Sequence, residues 1–140
     1  MDLIEQFKTF ADDFERAYAA DNWSLIAPHF TDDAVYYYSD GSEPVSGRQA
    51  VLEKLQTEVG ALDRKMDQRD LEFLDYSIDG DTVTAIWRAR FGIDEVPPLD
   101  VHGEEVARYQ GDAIAELRSV IYEEGLVAFG GWMAEHGHKL

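Results

Sequence analysis

Leu3, Phe7, Phe10, Phe14 and Tyr18 recur at steps of three and four residues, with Ala11 and Ala17 beside them, so the chain opens on an amphipathic helix with an aromatic stripe. Asp2, followed three residues later by Glu5, resembles a capping box at its start, and Asp21-Asn22 ends it. Trp23 to Phe30 reads as a short second helix that should stop or kink around Pro28, which has no backbone N–H to donate. An acidic turn, Thr31-Asp32-Asp33, then launches a strand through Val35-Tyr36-Tyr37-Tyr38. The turn formers Asp40-Gly41-Ser42-Glu43-Pro44 close it. Ser46 with Gln49 announces a third helix, whose buried side is carried by Val51, Leu52, Leu55, Val59 and Leu62.

The period then changes. Met66 to Ile78, Thr82 to Ile93, Asp100 to Gln110 and Ala113 to Tyr122 alternate as strands, punctuated by Asp79-Gly80 and Gly111-Asp112, both good two-residue hairpin turns. Pro97-Pro98 marks a looser connection. The second of these strands sets Val83, Ala85, Trp87, Ala89 and Phe91 on one face against Thr82, Thr84, Ile86, Arg88 and Arg90 on the other, so the first set should look inward. Leu126, Phe129, Trp132, Met133 and His136 return to helical spacing, with Gly137 placed to end the last helix. Helices gathered against one face of a curved antiparallel sheet make an α+β cone, and the pattern predicts one domain over residues 1–140.

Composition narrows the function classes. At 140 residues, with 45% hydrophobic and 12% aromatic residues, the chain can bury a core of its own. Twelve basic residues face 29 acidic ones, a net charge of −17, which opposes nucleic acid and anionic membrane surfaces. There is no cysteine, hence no thiolate nucleophile or sulfur metal site. The acidic start Met1-Asp2-Leu3-Ile4-Glu5-Gln6 lacks the features of a signal peptide, and no apolar stretch approaches a membrane span; a cytoplasmic protein is expected. No metal spacing, phosphate loop, dinucleotide fingerprint or nucleophile elbow is present. His136 and His138 read as a basic helix terminus, and His102 should point away from the inner face of its strand. Arg88 and Arg90 read as outer-face ion pairs with Glu104 or Glu116.

The element order, together with Phe30-Thr31-Asp32-Asp33-Ala34-Val35, Val45-Ser46-Gly47-Arg48, Ala107-Arg108-Tyr109, Ala115-Glu116-Leu117-Arg118 and Trp132-Met133-Ala134-Glu135-His136-Gly137, resembles the SnoaL-like polyketide cyclase and ketosteroid isomerase group of the nuclear transport factor two-like superfamily. That resemblance implies a deep apolar pocket between sheet and helices, and a homodimer paired through the outer face of the sheet. Carried over position by position, it sets Tyr38 where the isomerases have a catalytic base, and Phe14 where they have an oxyanion-binding tyrosine. Only their third acid finds a match, at Glu105. The substitutions argue against a 3-oxosteroid isomerase, although Tyr18 sits one helical turn from Phe14 and could partly replace that phenol.

Glu105 shares a strand face with Val101, Gly103, Ala107 and Tyr109, and on an apolar wall its pKa would rise toward neutrality, as suits a general base or acid. The alternative is that Glu104-Glu105 is an edge pair in water. Tyr36 and Tyr38 project to one side of the first strand, which the resemblance makes the cavity side, and Val35 and Tyr37 to the other. A phenol there would either stabilise an oxyanion or serve as aromatic filler. Asp40 reads as a turn former. The first functional expectation is therefore an isomerase, cyclase or lyase acting without a cofactor on a small apolar carbonyl compound, with Glu105, Tyr18, Tyr36 and Tyr38 as its catalytic groups and Phe14, Trp23, Leu55, Trp87, Ala107 and Tyr109 against the ligand. The second is a noncatalytic domain that holds a small ligand in the same cavity. Whether an acid faces the cavity separates them.

Overall fold

The computed structural model describes residues 2–39 and 41–140. Helix α1 (Leu3–Ala20) is capped at its start by the Asp2 carboxylate, which accepts from the Glu5 N–H at 2.8 Å, and closes on Asp21 in the left-handed conformation. A 3-10 segment, Trp23–His29, holds Pro28 in its last turn and hands the chain to strand β1 (Phe30–Tyr38). After the two-residue strand β2 (Val45–Ser46) comes helix α2 (Arg48–Ala61). Strands β3 (Gln68–Asp79), β4 (Thr82–Gly92), β5 (Leu99–Gln110) and β6 (Ala113–Ile121) follow, then helix α3 (Glu123–His136).

The strands form one mixed sheet in the order β2-β1-β6-β5-β4-β3, with β1 parallel to β6 and every other pair antiparallel. The β3–β4 and β5–β6 hairpins turn at Gly80 and Gly111, whose φ values of 62° and 65° a side chain would resist. The expected inward face of β4 is inward: Val83, Ala85, Trp87, Ala89 and Phe91 are all buried.

Two clusters make the core. Phe7, Phe10, Ile26, Phe30, Val51, Leu55, Val83, Ile114 and Leu117 pack with their neighbours between the sheet and α1, α2 and the 3-10 segment. Trp87, Phe91, Leu99, Val101 and Trp132 form a second, smaller one beside α3. The aromatic stripe of α1 is used edge-on: Phe7 meets Phe10, Phe73 and Tyr76 with ring centroids 5.8, 5.4 and 6.2 Å away.

Two local expectations are corrected. Ser46 does not cap α2; it pairs with Val35 as part of β2, and Gly47 (φ 97°) starts the helix with no side-chain cap. Ser46 is thus spent on closing the sheet edge. Gly137 ends α3 as expected, as its C-cap, in a right-handed conformation that carries the chain into a short 3-10 turn. The partners of Arg88 are Glu72 and Asp100, at 3.4 and 3.5 Å, because strand register sets β3 and the start of β5 beside it; Glu116 instead pairs with Arg108 and Arg118. The turn expected at Asp40 lies outside the described residues. No helix among the described residues is long and apolar enough to cross a membrane.

Candidate active site

Alternation along β5 sends Val101, Gly103, Glu105, Ala107 and Tyr109 to the inner face, and His102 and Arg108 outward into water. Glu105 is therefore an inner-face acid, not an exposed edge residue. Protein atoms surround its carboxylate, yet the residue keeps part of its accessible surface while Gly103 and Ala107 on either side are buried.

Strand pairing supplies its partners. Glu105 lies opposite Ser119 of β6, and the Ser119 hydroxyl sits 2.8 and 2.7 Å from the two carboxylate oxygens. Ser119 is fixed from its far side, since Ser39 Oγ donates to its carbonyl at 2.6 Å and accepts from the Ile121 N–H at 3.0 Å. From β1, the buried Tyr36 brings its hydroxyl 3.2 Å from Ser119 Oγ and 2.9 Å from Glu58 Oε2. Glu58 comes from α2, where Lys54 one turn earlier stands 3.5 Å from its other oxygen. Four side chains from four elements thus form one polar chain, Glu105–Ser119–Tyr36–Glu58, inside an apolar core.

Charge in that chain is costly. Loss of solvent pushes the Glu105 carboxyl up to about 8; the Ser119 hydroxyl opposes this, the Glu58 charge adds to it, and the Trp87 indole N–H weakly favours the ionised form. Burial, then the charges of Glu105 and Glu58, hold the Tyr36 phenol well above its usual value. Tyr36 stays protonated and acts as a hydrogen-bonding group. Trp87 is the diagonal neighbour of Glu105 across β4–β5, and its indole N–H is buried without a full hydrogen bond to any described residue. The Tyr109 hydroxyl, further along β5, is also buried and without a hydrogen-bond partner among the described residues, and burial raises its pKa.

The other expected site residues divide. Tyr38 shares the inner side with Tyr36, ring against ring at 6.3 Å, with the Lys54 ammonium 6.0 Å above it. Tyr37 is on the opposite side, under the Arg118 guanidinium at 3.8 Å. Tyr18 is held at the far end of α1: its hydroxyl points to the Asp63 carbonyl at 3.5 Å, and Arg64 and Arg69 lie over its ring at 4.6 and 4.1 Å. It is packed as a cation platform, away from the polar chain. Phe14 and Trp23 pack edge to face at 5.3 Å, the Trp23 indole N–H donating to Asp21. Leu55 and Ala107 are core residues of the larger cluster.

Sequence reasoning missed Glu58 and Ser119. Both left a signal. Glu58 falls three residues after Leu55 and one before Val59, within the apolar stripe of α2, and Ser119 interrupts the inward alternation Leu117, Ser119, Ile121. Two open depressions of about 530 and 510 Å³ lie elsewhere, one over β3 and β4 around Arg69, Arg88 and Arg90, the other between β5 and α3 around His102 and Tyr122. Among the described residues, no group of three or more acids or histidines is placed to hold a metal ion.

Solved structures of other proteins share this fold. A protein from Catenulispora acidiphila with a ketosteroid isomerase-like fold, in complex with trimethylamine, superposes with a TM-score of 0.64 at 17% identity, over 87% of this chain and 92% of that one. A steroid delta-isomerase from Pseudomonas aeruginosa gives 0.62 at 20% identity, over 94% and 90%. TerC, co-crystallised with polyporic acid, gives 0.67 at 10% identity, over 90% and 96%. At these identities the likeness is one of fold, the cone of the nuclear transport factor two-like proteins. A search of curated proteins by sequence found no relative. The family model described as the SnoaL-like domain matches residues 11–118, which span β1 and α2 through most of β6 and include Tyr36, Glu58 and Glu105 of the polar chain, with Ser119 one residue beyond the match. The chain belongs to the SnoaL-like domain family.

Proposed function

We propose that the protein catalyses proton transfer at a carbon next to a carbonyl group in a small, largely apolar compound, in the manner of an isomerase, cyclase or lyase. The observation that carries this reading is the inner-face Glu105, desolvated to a pKa of about 8 and still partly accessible. A carboxyl group with that midpoint exists in both protonation states near neutral pH, so it takes a proton from carbon and gives one back with little cost. The Trp87 N–H, a buried donor beside it with no full hydrogen bond among the described residues, is the group that would face the developing oxyanion. Tyr38 lies beside Tyr36 on the inner side; Tyr18 is assigned no role in the chemistry, since its hydroxyl and ring are already engaged. A noncatalytic domain would gain nothing from an acid desolvated on the inner face, and this favours the enzyme over the binding module.

The test is carbon-bound hydrogen exchange in D2O, followed by NMR, across a panel of small cyclic enones and 1,3-dicarbonyl compounds. Wild-type protein should accelerate exchange of at least one compound, and Glu105→Gln should lose that acceleration by roughly 10²- to 10⁴-fold with the fold intact. Equal exchange in the variant removes Glu105 from the chemistry. A compound held tightly with no exchange moves the protein to the binding class.

The protein is also proposed to form a homodimer through the sheet. Leu74, at the bulge of β3 and next to the outward Asp75, is exposed at 52%, apolar surface on the outer face that a second copy would cover. Sedimentation at micromolar concentration should give twice the 15.9 kDa chain mass; a monomer there rules the pairing out.

A further inference from the structure

The chain Glu105–Ser119–Tyr36–Glu58 contains three contacts at hydrogen-bond distance and only two hydroxyls. Each contact needs one proton. Ser119 and Tyr36 bring one each, since a hydroxyl donates once, so the third comes from a carboxyl group at one end. With the proton on Glu105, every bond points toward Glu58: Glu105 donates to Ser119, Ser119 to Tyr36, and Tyr36 to the Glu58 carboxylate. With the proton on Glu58, every bond points back. The groups facing the chain fit this one-proton state. From α2 come Glu58 and its ammonium partner Lys54, from β1 Tyr36 and Tyr38, from β6 Ser119, and from β4 the Trp87 indole.

The geometry points to Glu58 as the far terminus of a proton wire that starts at Glu105, the Ser119 and Tyr36 hydroxyls turning over together as the proton moves from one acid to the other. It deepens the proposed proton transfer and rests on that reading for its use. The step balances. With the resting proton on Glu58, Glu58 first gives it to solvent; the Glu105 carboxylate then takes a proton from the substrate carbon, whose C–H electron pair enters the enolate. Glu105 passes a proton to Ser119 Oγ as Ser119 passes its own to Tyr36, and Tyr36 passes its own to Glu58. Net, one proton leaves carbon for Glu58, and Glu105 is again a carboxylate. The Glu58 side chain is 16% exposed and that of its partner Lys54 23%, so Glu58 exchanges its proton with solvent at the edge of α2. Hydrogen taken from substrate therefore appears in water.

The wire is tested in the protein alone, by ¹³C NMR with label at tyrosine Cζ and glutamate Cδ, titrated with pH. Tyr36, identified by loss of its signal in Tyr36→Phe, should step at the midpoint of Glu105 although the two side chains do not touch. A field effect would move Tyr38 as well, its ring being 6.3 Å from that of Tyr36. The wire predicts a Tyr36 step several times larger than that of Tyr38, its loss in Ser119→Ala while Glu105 still titrates, and its return in Ser119→Thr. A Tyr36 signal that ignores the Glu105 midpoint in the wild-type protein overturns the wire, as does a step that survives Ser119→Ala. No solvent exchange from any carbonyl compound would count against the proposed reaction and leave this result untouched.

Discussion

Glu105→Gln is expected to leave stability nearly unchanged at pH 4.5 and to raise it by about 3 to 4 kcal/mol at pH 9. Glu105 titrates at about 8 in the folded protein against 4.5 for the free group, so the native state holds this proton more tightly than the unfolded chain does. Its stabilising contribution is complete below the unfolded value and is lost as pH climbs from 4.5 to 8. Each tenfold change in proton affinity corresponds to ~1.4 kcal/mol. A midpoint moved this far gives a ceiling near ~5 kcal/mol, and the surface that Glu105 retains brings it down. Glutamine keeps the shape and an acceptor for Ser119 but never ionises. Urea denaturation at pH 4.5, 7 and 9 reads the difference. Asp13 works at the other end of the scale: its hydrogen bond to His29, 2.7 Å long, holds its carboxyl below the usual range, so its stabilising share is lost only as pH falls through that lowered value. A variant curve parallel to wild type from pH 4.5 to 9 would mean that Glu105 titrates alike in the folded and unfolded chain, as a solvated acid.

Gly103→Ala should cost about 3 kcal/mol or more, at the upper end of what overpacking does in protein cores. Gly103 lies opposite Trp87 on β4 and Ile121 on β6. A methyl group there would drive into the Val120 carbonyl oxygen and come within 2.5 Å of the Trp87 ring. Neither neighbour has room to yield. The carbonyl belongs to the paired strand, and Trp87 is packed among Phe91, Leu99, Val101 and Trp132. The absent side chain is what lets the indole lie flat on β5 with its N–H toward Glu105, so a folded variant should also show a displaced Glu105 midpoint. Gly130→Ala, on the exposed side of α3 with open space around it, is the control and should stabilise by roughly 0.5 to 1 kcal/mol. Equal melting temperatures for Gly103→Ala and wild type would contradict the packing described here.

Most of the fold was legible because periodicity records which side of each element meets the core. Leu3 to Tyr18, the Val83 to Phe91 alternation and the glycine turns at 80 and 111 each follow from local rules. The same alternation divided Tyr36 and Tyr38 from Tyr37, and set Glu105 apart from its exposed neighbours. What stayed hidden depends on elements crossing. Glu58 sits within the apolar stripe of α2, and only the placement of α2 over β1 brings it to Tyr36. Ser119 gained its meaning from β5–β6 register, which no single strand contains. Tyr18 shows the reverse error: its position one turn from Phe14 suggested a substitute phenol, but Arg64 and Arg69, brought by the segment after α2 and by β3, claimed its ring.

The ionisation of Glu105 tests this account most directly. Site-assigned ¹³C NMR of the Glu105 carboxyl carbon, with Glu105→Gln as the assignment control, should show a midpoint near 8 in the protein without ligand. A single step in the ordinary carboxylate range, near 4.5, would make Glu105 a solvated acid and remove the basis for both the proposed reaction and the wire that feeds it.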